Sequence, residues 1–222
     1  MGQKVNPIGL RVGIRREWTG KWFAEGKAYS AGILEDVLIR RFFKKKYAEA
    51  GISSLEIERS PKKVKIAIAT SRPGVIIGRQ GSGVDDLVLK LEKQFKKLFE
   101  VEVVEVKKPD IDAVLVADNV ARQLEKRIPF RRAAKQALQK AMEGGVKGIK
   151  VLLSGRLAGA EIARSEFFAD GTVPLHTFRA DIQYCEERAE TTYGTIGVKV
   201  WVYLGDRFGK KFEKEETSAP EA

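Results

Sequence analysis

The stretch VIIGRQGSGVDDL, residues 75–87, joins a glycine-rich loop to the start of a helix. Two isoleucines precede the loop, Arg79 lies inside it, and the amphipathic pattern LVLKLEKQF follows it. Glycines at this spacing let a backbone approach a phosphate closely, and the free N–H groups at the start of a helix favour an anion. The stretch therefore indicates a phosphate ligand, either of a mononucleotide or of a polynucleotide.

A mononucleotide site is disfavoured by the residues at the start of this helix. Gly78 and Gly83 have the spacing of the two glycines in a Walker loop, but Val84 and Asp85 replace its Lys and its Ser or Thr. The carboxylate of Asp85 would repel the β- and γ-phosphates, and the G-x-G-x-x-G order of dinucleotide sites is absent. The interpretation that remains is a K-homology loop, in which G-x-x-G between two helices clamps about four nucleotides of a single strand.

The motif alone does not decide the matter, because 21 glycines in 222 residues produce a G-x-x-G arrangement by chance. The same arrangement occurs at residues 145–148 and 194–197, where turn chemistry explains it. The alternative for residues 78–81 is a plain turn in an α+β fold. The order of the surrounding elements favours the K-homology interpretation.

The first half of the chain predicts the α-β-β-α-α-β order of a type II K-homology domain. A helix with Ser30 as its N-cap ends at Gly51, and strands follow at residues 52–59 and 63–70. The glycine loop and the amphipathic helix come next, and residues 101–108 form the closing strand. The apolar face of the first helix comprises Tyr29, Ile33, Leu34, Val37, Leu38 and Phe42, and that of the last helix comprises Leu87, Leu91, Phe95 and Leu98.

The second half predicts an α/β domain with two helices packed on a mainly antiparallel sheet. Asp112 caps a helix, and Pro129 opens a second helix that reaches Met142. The apolar face of the first of these helices comprises Val116, Val120 and Leu124. Strand-like runs follow at residues 148–155, 177–185 and 197–204. The fold class is α+β, with an N-terminal arm (1–27), a type II K-homology domain (28–108), a C-terminal α/β domain (109–208) and a flexible tail (209–222).

The composition indicates a polyanionic partner. Lys and Arg number 41 against 30 Asp and Glu, which gives a formal net charge of +11. Membrane contact is disfavoured because no apolar run approaches the ~18 residues of a transmembrane helix. The N-terminus lacks the apolar segment of a signal peptide, and the single Cys185 suits a reducing compartment, so we expect a cytoplasmic location.

The sequence offers no group of residues suited to catalysis or to a metal site. The chain has one cysteine, Cys185, and one histidine, His176, which are too few for a Cys/His zinc site. A Cys185–His176 nucleophile pair is conceivable, but Cys185 continues an alternating strand pattern, which favours a structural cysteine. We expect no cofactor, no small-molecule substrate and no enzymatic activity.

Positive charge is concentrated between residues 122 and 140, which hold seven cations and one acid, Glu125. The cations are Arg122, Lys126, Arg127, Arg131, Arg132, Lys135 and Lys140. The inward positions of the helix that follows Pro129 are Ala134, Leu138 and Ala141, and its outward positions are Arg131, Arg132, Lys135 and Gln139. A solvated helix face normally mixes charge signs, so a face without acids favours contact with a polyanion.

Residues 1–27 predict an extended basic arm or a terminal strand packed on the body, and the two interpretations are compatible. The arm has no regular periodicity and ends in an expected cluster of Trp18, Trp22 and Phe23. Its cations include Lys4, Arg11, Arg15 and Arg16.

Six blocks of the sequence are specific enough for comparison with a known family. They are MGQKVNPIGLRVGI (1–14), VIIGRQG (75–81), RAAKQAL (132–138), SGRLAGAEIARSE (154–166), PLHTFRADIQY (174–184) and TIGVKVWVYLG (195–205). In this order the blocks resemble the bacterial members of the universal small-subunit ribosomal protein family number three. The resemblance extends to about Gly209, so it covers nearly the whole chain.

The resemblance implies a structural constituent in the head of the small ribosomal subunit. Such a protein binds the 3′ major domain of small-subunit ribosomal RNA and contacts small-subunit ribosomal proteins ten and fourteen. Carried over, Arg131, Arg132 and Lys135 would line the channel by which mRNA enters, hold and position the mRNA, and assist its unwinding. The K-homology loop would bind RNA through Ile77, Gly78, Arg79, Gln80 and Gly81. Further candidates for ribosomal RNA contact are Lys4, Arg11, Arg15, Arg16, Arg127, Arg156, Arg164 and Arg179.

Two other functions compete with this one. A free-standing K-homology regulator would bind mRNA outside the ribosome. An RNA- or nucleotide-processing enzyme would need an activated nucleophile, a metal constellation or a Walker lysine, and the sequence offers none of these.

Overall fold

The computed structural model, which describes residues 3–14, 16–60 and 63–208, has the α+β fold that the sequence predicts. The helices are Pro7–Arg11 (α1), Gly26–Lys46 (α2), Pro73–Ile77 (α3), Ser82–Phe95 (α4), Ala113–Glu125 (α5) and Phe130–Glu143 (α6). The strands are Gly20–Lys21 (β1), Ile52–Arg59 (β2), Lys63–Thr70 (β3), Leu98–Glu105 (β4), Gly148–Gly155 (β5), Arg164–Gly171 (β6), Ala180–Thr191 (β7) and Gly194–Asp206 (β8). The predicted flexible tail, residues 209–222, lies outside the described residues.

The first sheet has the strand order β1-β2-β3-β4. β2 pairs antiparallel with β3, and β3 pairs parallel with β4, so α3, the glycine loop and α4 form the crossover between them. Ile57, Ile66 and Ile68 are completely buried in one core cluster with Leu87 and Leu91 of α4. The order α2-β2-β3-α3-α4-β4 confirms the predicted type II K-homology arrangement.

The second sheet has the strand order β6-β5-β8-β7, and its neighbouring strands are all antiparallel. α5 and α6 cover one face, where Val151, Val198 and Val200 are completely buried. Asp112 caps α5 as predicted, since its carboxylate accepts a hydrogen bond from the N–H of Val114 at 2.8 Å. Sequence patterns miss β6, because this edge strand buries few side chains and lacks a regular apolar alternation.

The predicted apolar face of α2 is wrong. The helix begins at Gly26, and the hydroxyl of Ser30, the predicted N-cap, lies inside it and donates to the carbonyl of Lys27 at 3.0 Å. The buried residues of α2 are Gly32, Ile39 and Phe43. The predicted positions Tyr29, Ile33, Leu34, Val37 and Leu38 are exposed.

Contacts with the Trp22 ring and with Arg59 decide which side of α2 faces the sheet. A Cβ on Gly32 would lie 2.6 Å from the Trp22 ring, so only glycine admits that ring. The guanidinium of Arg59 on β2 pairs with the carboxylates of Glu35 and Asp36 on α2. These polar and steric contacts turn the apolar stripe away from the sheet.

α4 is one turn shorter than its apolar pattern suggests. Lys96 follows the helix in the left-handed conformation, with φ 55°, and ends it. Leu98 therefore begins β4 and is exposed, so its predicted place on the apolar face of α4 is wrong.

The N-terminal arm is anchored rather than simply extended. The side chain of Asn6 caps the short helix α1, at whose end Arg11 is 1% exposed. The Nε of Arg11 donates to the carbonyl of Ala180 at 2.7 Å. Its Nη atoms donate to the carbonyls of Pro7, Leu175 and Thr177 at distances between 2.9 and 3.1 Å. One arginine thus fastens the arm to the C-terminal domain.

The expected aromatic cluster at the end of the arm is wrong. Trp18 and Phe23 are 70% and 81% exposed. Trp22 instead packs on Tyr29, with 5.6 Å between ring centroids, and its indole N–H donates to the Asp36 carboxylate at 2.8 Å.

We predict that Arg11→Ala lowers the free energy of unfolding of the C-terminal domain by about 2–3 kcal/mol, because several buried carbonyls lose a charged donor. Urea unfolding measures the loss, and hydrogen–deuterium exchange should rise in residues 7–11 and 175–182. Lys4→Ala, which changes an exposed cation of the same arm, is the control. Equal stability of the two variants would contradict the anchoring role.

Candidate nucleic-acid interface

The outward face of α6 carries an uninterrupted group of cations. Ala134, Leu138 and Ala141 are buried in the C-terminal core, as the inward pattern predicts, and Ala133 is completely buried as well. Arg131, Arg132 and Lys135 are exposed, and together with Gln136 and Gln139 they line an open depression of about 430 Å³. We call Arg131, Arg132 and Lys135 the basic stripe. The small alanines hold the helix backbone close to the sheet, so the stripe has a fixed direction.

Among the described residues, one acid forms an ion pair with the basic stripe, while Glu143 and Asp170 line a neighbouring depression with Lys135. Glu166 of β6 lies 3.6 Å from the Nε of Arg131 and 2.9 Å from the Nε of Arg164. Two guanidinium groups therefore share one carboxylate, and Arg131 is still 68% exposed. Both guanidinium groups also lie near the ring of Phe130, at 5.5 and 5.9 Å from its centroid. These contacts orient Arg131 without neutralising the stripe.

The other four cations of the predicted basic segment do not join the stripe. Arg122 pairs with Asp118 at 2.8 Å and donates to the carbonyl of Ala48, which links the two domains. Burial raises the pKa of Asp118, and the charge of Arg122 opposes this shift. Arg127 has φ 62° in the turn between α5 and α6. Lys126 and Lys140 line a cleft of about 440 Å³ at the domain junction.

The glycine loop between α3 and α4 needs glycine for more than one reason. Gly78 ends α3 with φ +69°, and Gly81 precedes α4 with φ +86°, both in the left-handed region. Gly83 packs so tightly that a Cβ there would lie 2.6 Å from the carbonyl oxygen of Ile76 and 2.9 Å from that of Ile77. Sequence reasoning missed this role of Gly83, although the third glycine was the signal for it.

The loop presents a cation beside aliphatic side chains. Arg79 and Ile77 are exposed, whereas Ile76 is completely buried and fixes α3 to the core. The backbone of Gln80 lies in the single turn 79–81, and its side chain falls outside the described residues. A fixed backbone with an exposed cation and an exposed aliphatic surface can approach a sugar-phosphate strand closely.

The remaining candidate arginines differ in how far their own chain engages them. Arg11 is buried and all its donors serve carbonyl groups, so we remove it from the interface. Arg156 donates to the carbonyls of Ala160 and Tyr193, and Arg179 pairs with Asp206 at 2.8 Å. Arg164 shares Glu166 with the stripe, Lys4 is exposed, and Arg16 is partly buried. Arg15 lies outside the described residues.

Cys185 and His176 do not have the features of a nucleophile pair. Cys185 is partly buried in β7, and burial raises the pKa of its thiol to about 12, so the thiolate is scarce at neutral pH. His176 is exposed in the loop before β7. Over residues 3–14, 16–60 and 63–208, no group of three or more His, Cys, Asp or Glu is placed to hold a metal ion. Over the same residues, no helix is both long and apolar enough to cross a membrane.

Comparisons with known proteins agree with both halves of this fold. The KH domain family model matches residues 38–111, and the model described as ribosomal protein S3, C-terminal domain, matches residues 120–202. The small ribosomal subunit protein uS3 of Desulforamulus reducens is 57% identical over 206 residues, which cover 93% of each chain. The uS3 protein of Enterococcus faecalis is 54% identical over 216 residues, 97% of this chain and 99% of that protein. These matches confirm the family resemblance, and the chain belongs to the small ribosomal subunit protein uS3 family.

Proposed function

We propose that this protein binds the 3′ major domain of small-subunit ribosomal RNA in the subunit head and lines the channel by which mRNA enters. In that position the basic stripe of α6 holds incoming mRNA by its phosphates and assists its unwinding. As a member of the uS3 family the protein is a structural, non-enzymatic component of the small ribosomal subunit. The observation that carries the mRNA assignment is the stripe itself, an exposed cationic face that makes one ion pair with an acid within the described part of the chain.

The geometry of α6 suits contact with consecutive phosphates of one strand. Arg131 and Lys135 are four residues apart, about 6 Å along the helix axis, and Arg132 lies beside them. Because Ala133 and Ala134 are completely buried, the helix cannot rotate without taking a cation into the core. The strand therefore meets charges that are already in place, which reduces the entropy lost on binding.

The glycine loop supplies a second RNA contact in this proposal. It grips a sugar-phosphate backbone through residues 77–81, with Arg79 as its cation, and it acts beside the stripe rather than in its place. Lys4, Arg16, Arg127, Arg156, Arg164 and Arg179 remain proposed contacts to ribosomal RNA. Arg156, Arg164 and Arg179 would have to keep or exchange their internal partners on binding.

The exposed apolar face of α2 supports the proposed protein partners. The exposed stripe along this 21-residue helix comprises Ile33, Leu34, Val37 and Leu38, and it continues to Tyr29, which is half exposed and packs on Trp22. A contiguous apolar patch on a protein surface commonly marks an interface. We assign it to contact with small-subunit ribosomal proteins ten and fourteen.

Replacing Arg131, Arg132 and Lys135 by Ala should flatten the salt dependence of single-strand RNA binding. Each phosphate contact contributes about 0.7 to the slope of log affinity against log salt concentration, so three lost contacts lower it by about two. Fluorescence anisotropy at several salt concentrations measures the slope. A control variant that changes Lys93, Lys107 and Lys108 to Ala also removes three exposed cations. Equal slopes for the stripe variant, the control and the unchanged protein would exclude the stripe from the interface.

The same stripe variant should slow translation selectively on structured mRNA. Small subunits reconstituted with it should lose more speed on an mRNA with a stable hairpin than on an unstructured mRNA, because unwinding depends on holding the incoming strand. Equal slowing on both templates would contradict a role in unwinding. Failure of the unchanged protein to co-sediment with small subunits would instead favour a free-standing regulator.

Arg79→Gln should weaken single-strand binding and lower the salt slope by about 0.7, because it removes one phosphate contact from the glycine loop. Lys93→Gln on the exposed side of α4 is the matched control. The comparison is made by anisotropy on the same RNA. If Arg79→Gln has no larger effect than Lys93→Gln, the glycine loop is scaffold rather than contact surface.

A further inference from the structure

The face of the C-terminal sheet opposite α5 and α6 has an unusual composition. In a sheet covered on one face, alternate residues that point away from the core are normally polar. Here three aromatic residues occupy such positions, Tyr184 on β7, Trp201 on β8 and Phe167 on β6. Their sequence neighbours on the other face include Val200 and Val202, which are completely buried.

The strand register brings these rings together around one lysine. Tyr184 pairs with Trp201, and Trp201 pairs with Lys150 of β5. The rings of Tyr184 and Trp201 lie 5.2 Å apart between centroids, at 40° to each other. The Nζ of Lys150 lies 5.6 Å from the Trp201 centroid and 5.0 Å from that of Phe167. We call these four residues the aromatic row, and it spans all four strands of the sheet.

Packing within the chain explains one end of this face but not the other. At one end Ile182 and Tyr203 are buried together with Ala180, and Val173 and Leu175 pack against them. Trp201 is partly buried beside this cluster. Phe167 at the other end is 65% exposed, so its ring adds little to the stability of the chain. The row is thus anchored at the Trp201 side and open at the Phe167 side.

The charge around the row favours a nucleic acid. The Lys150 ammonium lies against ring faces, and Lys199 on the same face is only loosely paired with Glu186, at 3.5 Å. Arg188 adds a third cation along β7, where the outward positions also carry two acids, Glu186 and Glu190, so cations outnumber acids by three to two. Aromatic rings interleaved with cations suit single-stranded RNA, since bases stack on the rings and phosphates contact the cations. An apolar protein segment would offer these cations no groups of opposite charge.

We propose that the aromatic row binds unpaired nucleotides of an RNA strand, with bases stacked on Phe167 and Trp201 and phosphates contacted by Lys150 and Lys199. The basic stripe lies on α6, which packs on the opposite face of the same sheet. The two surfaces can therefore be occupied at once by different RNA segments, and this site does not depend on the function proposed for the stripe.

The test compares a uridine 12-mer with an abasic oligomer of equal length, which keeps the phosphates but has no bases. Both are measured by anisotropy on the full chain in the Arg131→Ala, Arg132→Ala and Lys135→Ala background, so that the stripe cannot dominate. Adding Phe167→Ala should weaken binding of the uridine 12-mer about fivefold, which corresponds to the low end of the free energy of stacking one base on an aromatic ring. Binding of the abasic oligomer should stay unchanged. Phe23→Ala, which removes an exposed ring from the arm, should change neither.

Photocrosslinking of the uridine 12-mer provides an independent location for the site. Crosslinks should fall on peptides that contain Phe167 or Trp201 and should persist in the stripe background. Because Phe167 is largely exposed, far-ultraviolet circular dichroism should show that Phe167→Ala keeps its fold. Equal losses for both oligomers, no loss for either, or crosslinks confined to α6 and the glycine loop would overturn the proposal and leave a protein partner for this face.

Discussion

The direction of the basic stripe depends on how tightly α6 packs on the C-terminal sheet. Ala134 and Ala141 bring the helix backbone close to the sheet, and Leu138 is buried in the same core cluster. A rotation of α6 would expose these side chains and bury Arg131 or Lys135, and burying an unpaired charge costs far more than burying alanine gains. The packing of the core therefore sets the direction of the charged surface.

Sequence patterns predict the C-terminal helices and most of the strands, because there the apolar face of each element is covered by its own chain. For α2 the predicted buried face is wrong, although the apolar periodicity of this helix is just as clear. Ile33, Leu34 and Val37 do share a face, but that face is exposed, while Gly32 and Asp36 face Trp22 and Arg59. Periodicity identifies which residues lie together on a helix, and it does not identify what covers them.

Charge patterns have a similar limit. The sequence alone does not distinguish Arg11 from Arg131, since both are arginines in basic segments. In the structure, Arg11 donates hydrogen bonds to carbonyl groups of residues more than 160 positions later in the chain. The aromatic row also depends on long-range register, since Tyr184, Trp201, Lys150 and Phe167 come from four strands. Alternation along β8 predicts that Trp201 lies opposite Val200 and Val202, whereas β6 has no regular alternation that would place Phe167. Only the pairing of the strands shows that the side chains of the row meet.

The three glycines of the loop meet different structural requirements, which the sequence motif alone does not distinguish. Gly78 and Gly81 are needed for their positive φ angles, whereas Gly83 is needed because α3 and α4 nearly touch. The close contact holds the loop backbone between two helices whose inner residues, Ile76 and Leu87, are completely buried. A loop fixed in this way loses little entropy when it meets a strand. The third glycine therefore keeps the first two in place, and in the proposed contact with RNA it would act without touching the strand.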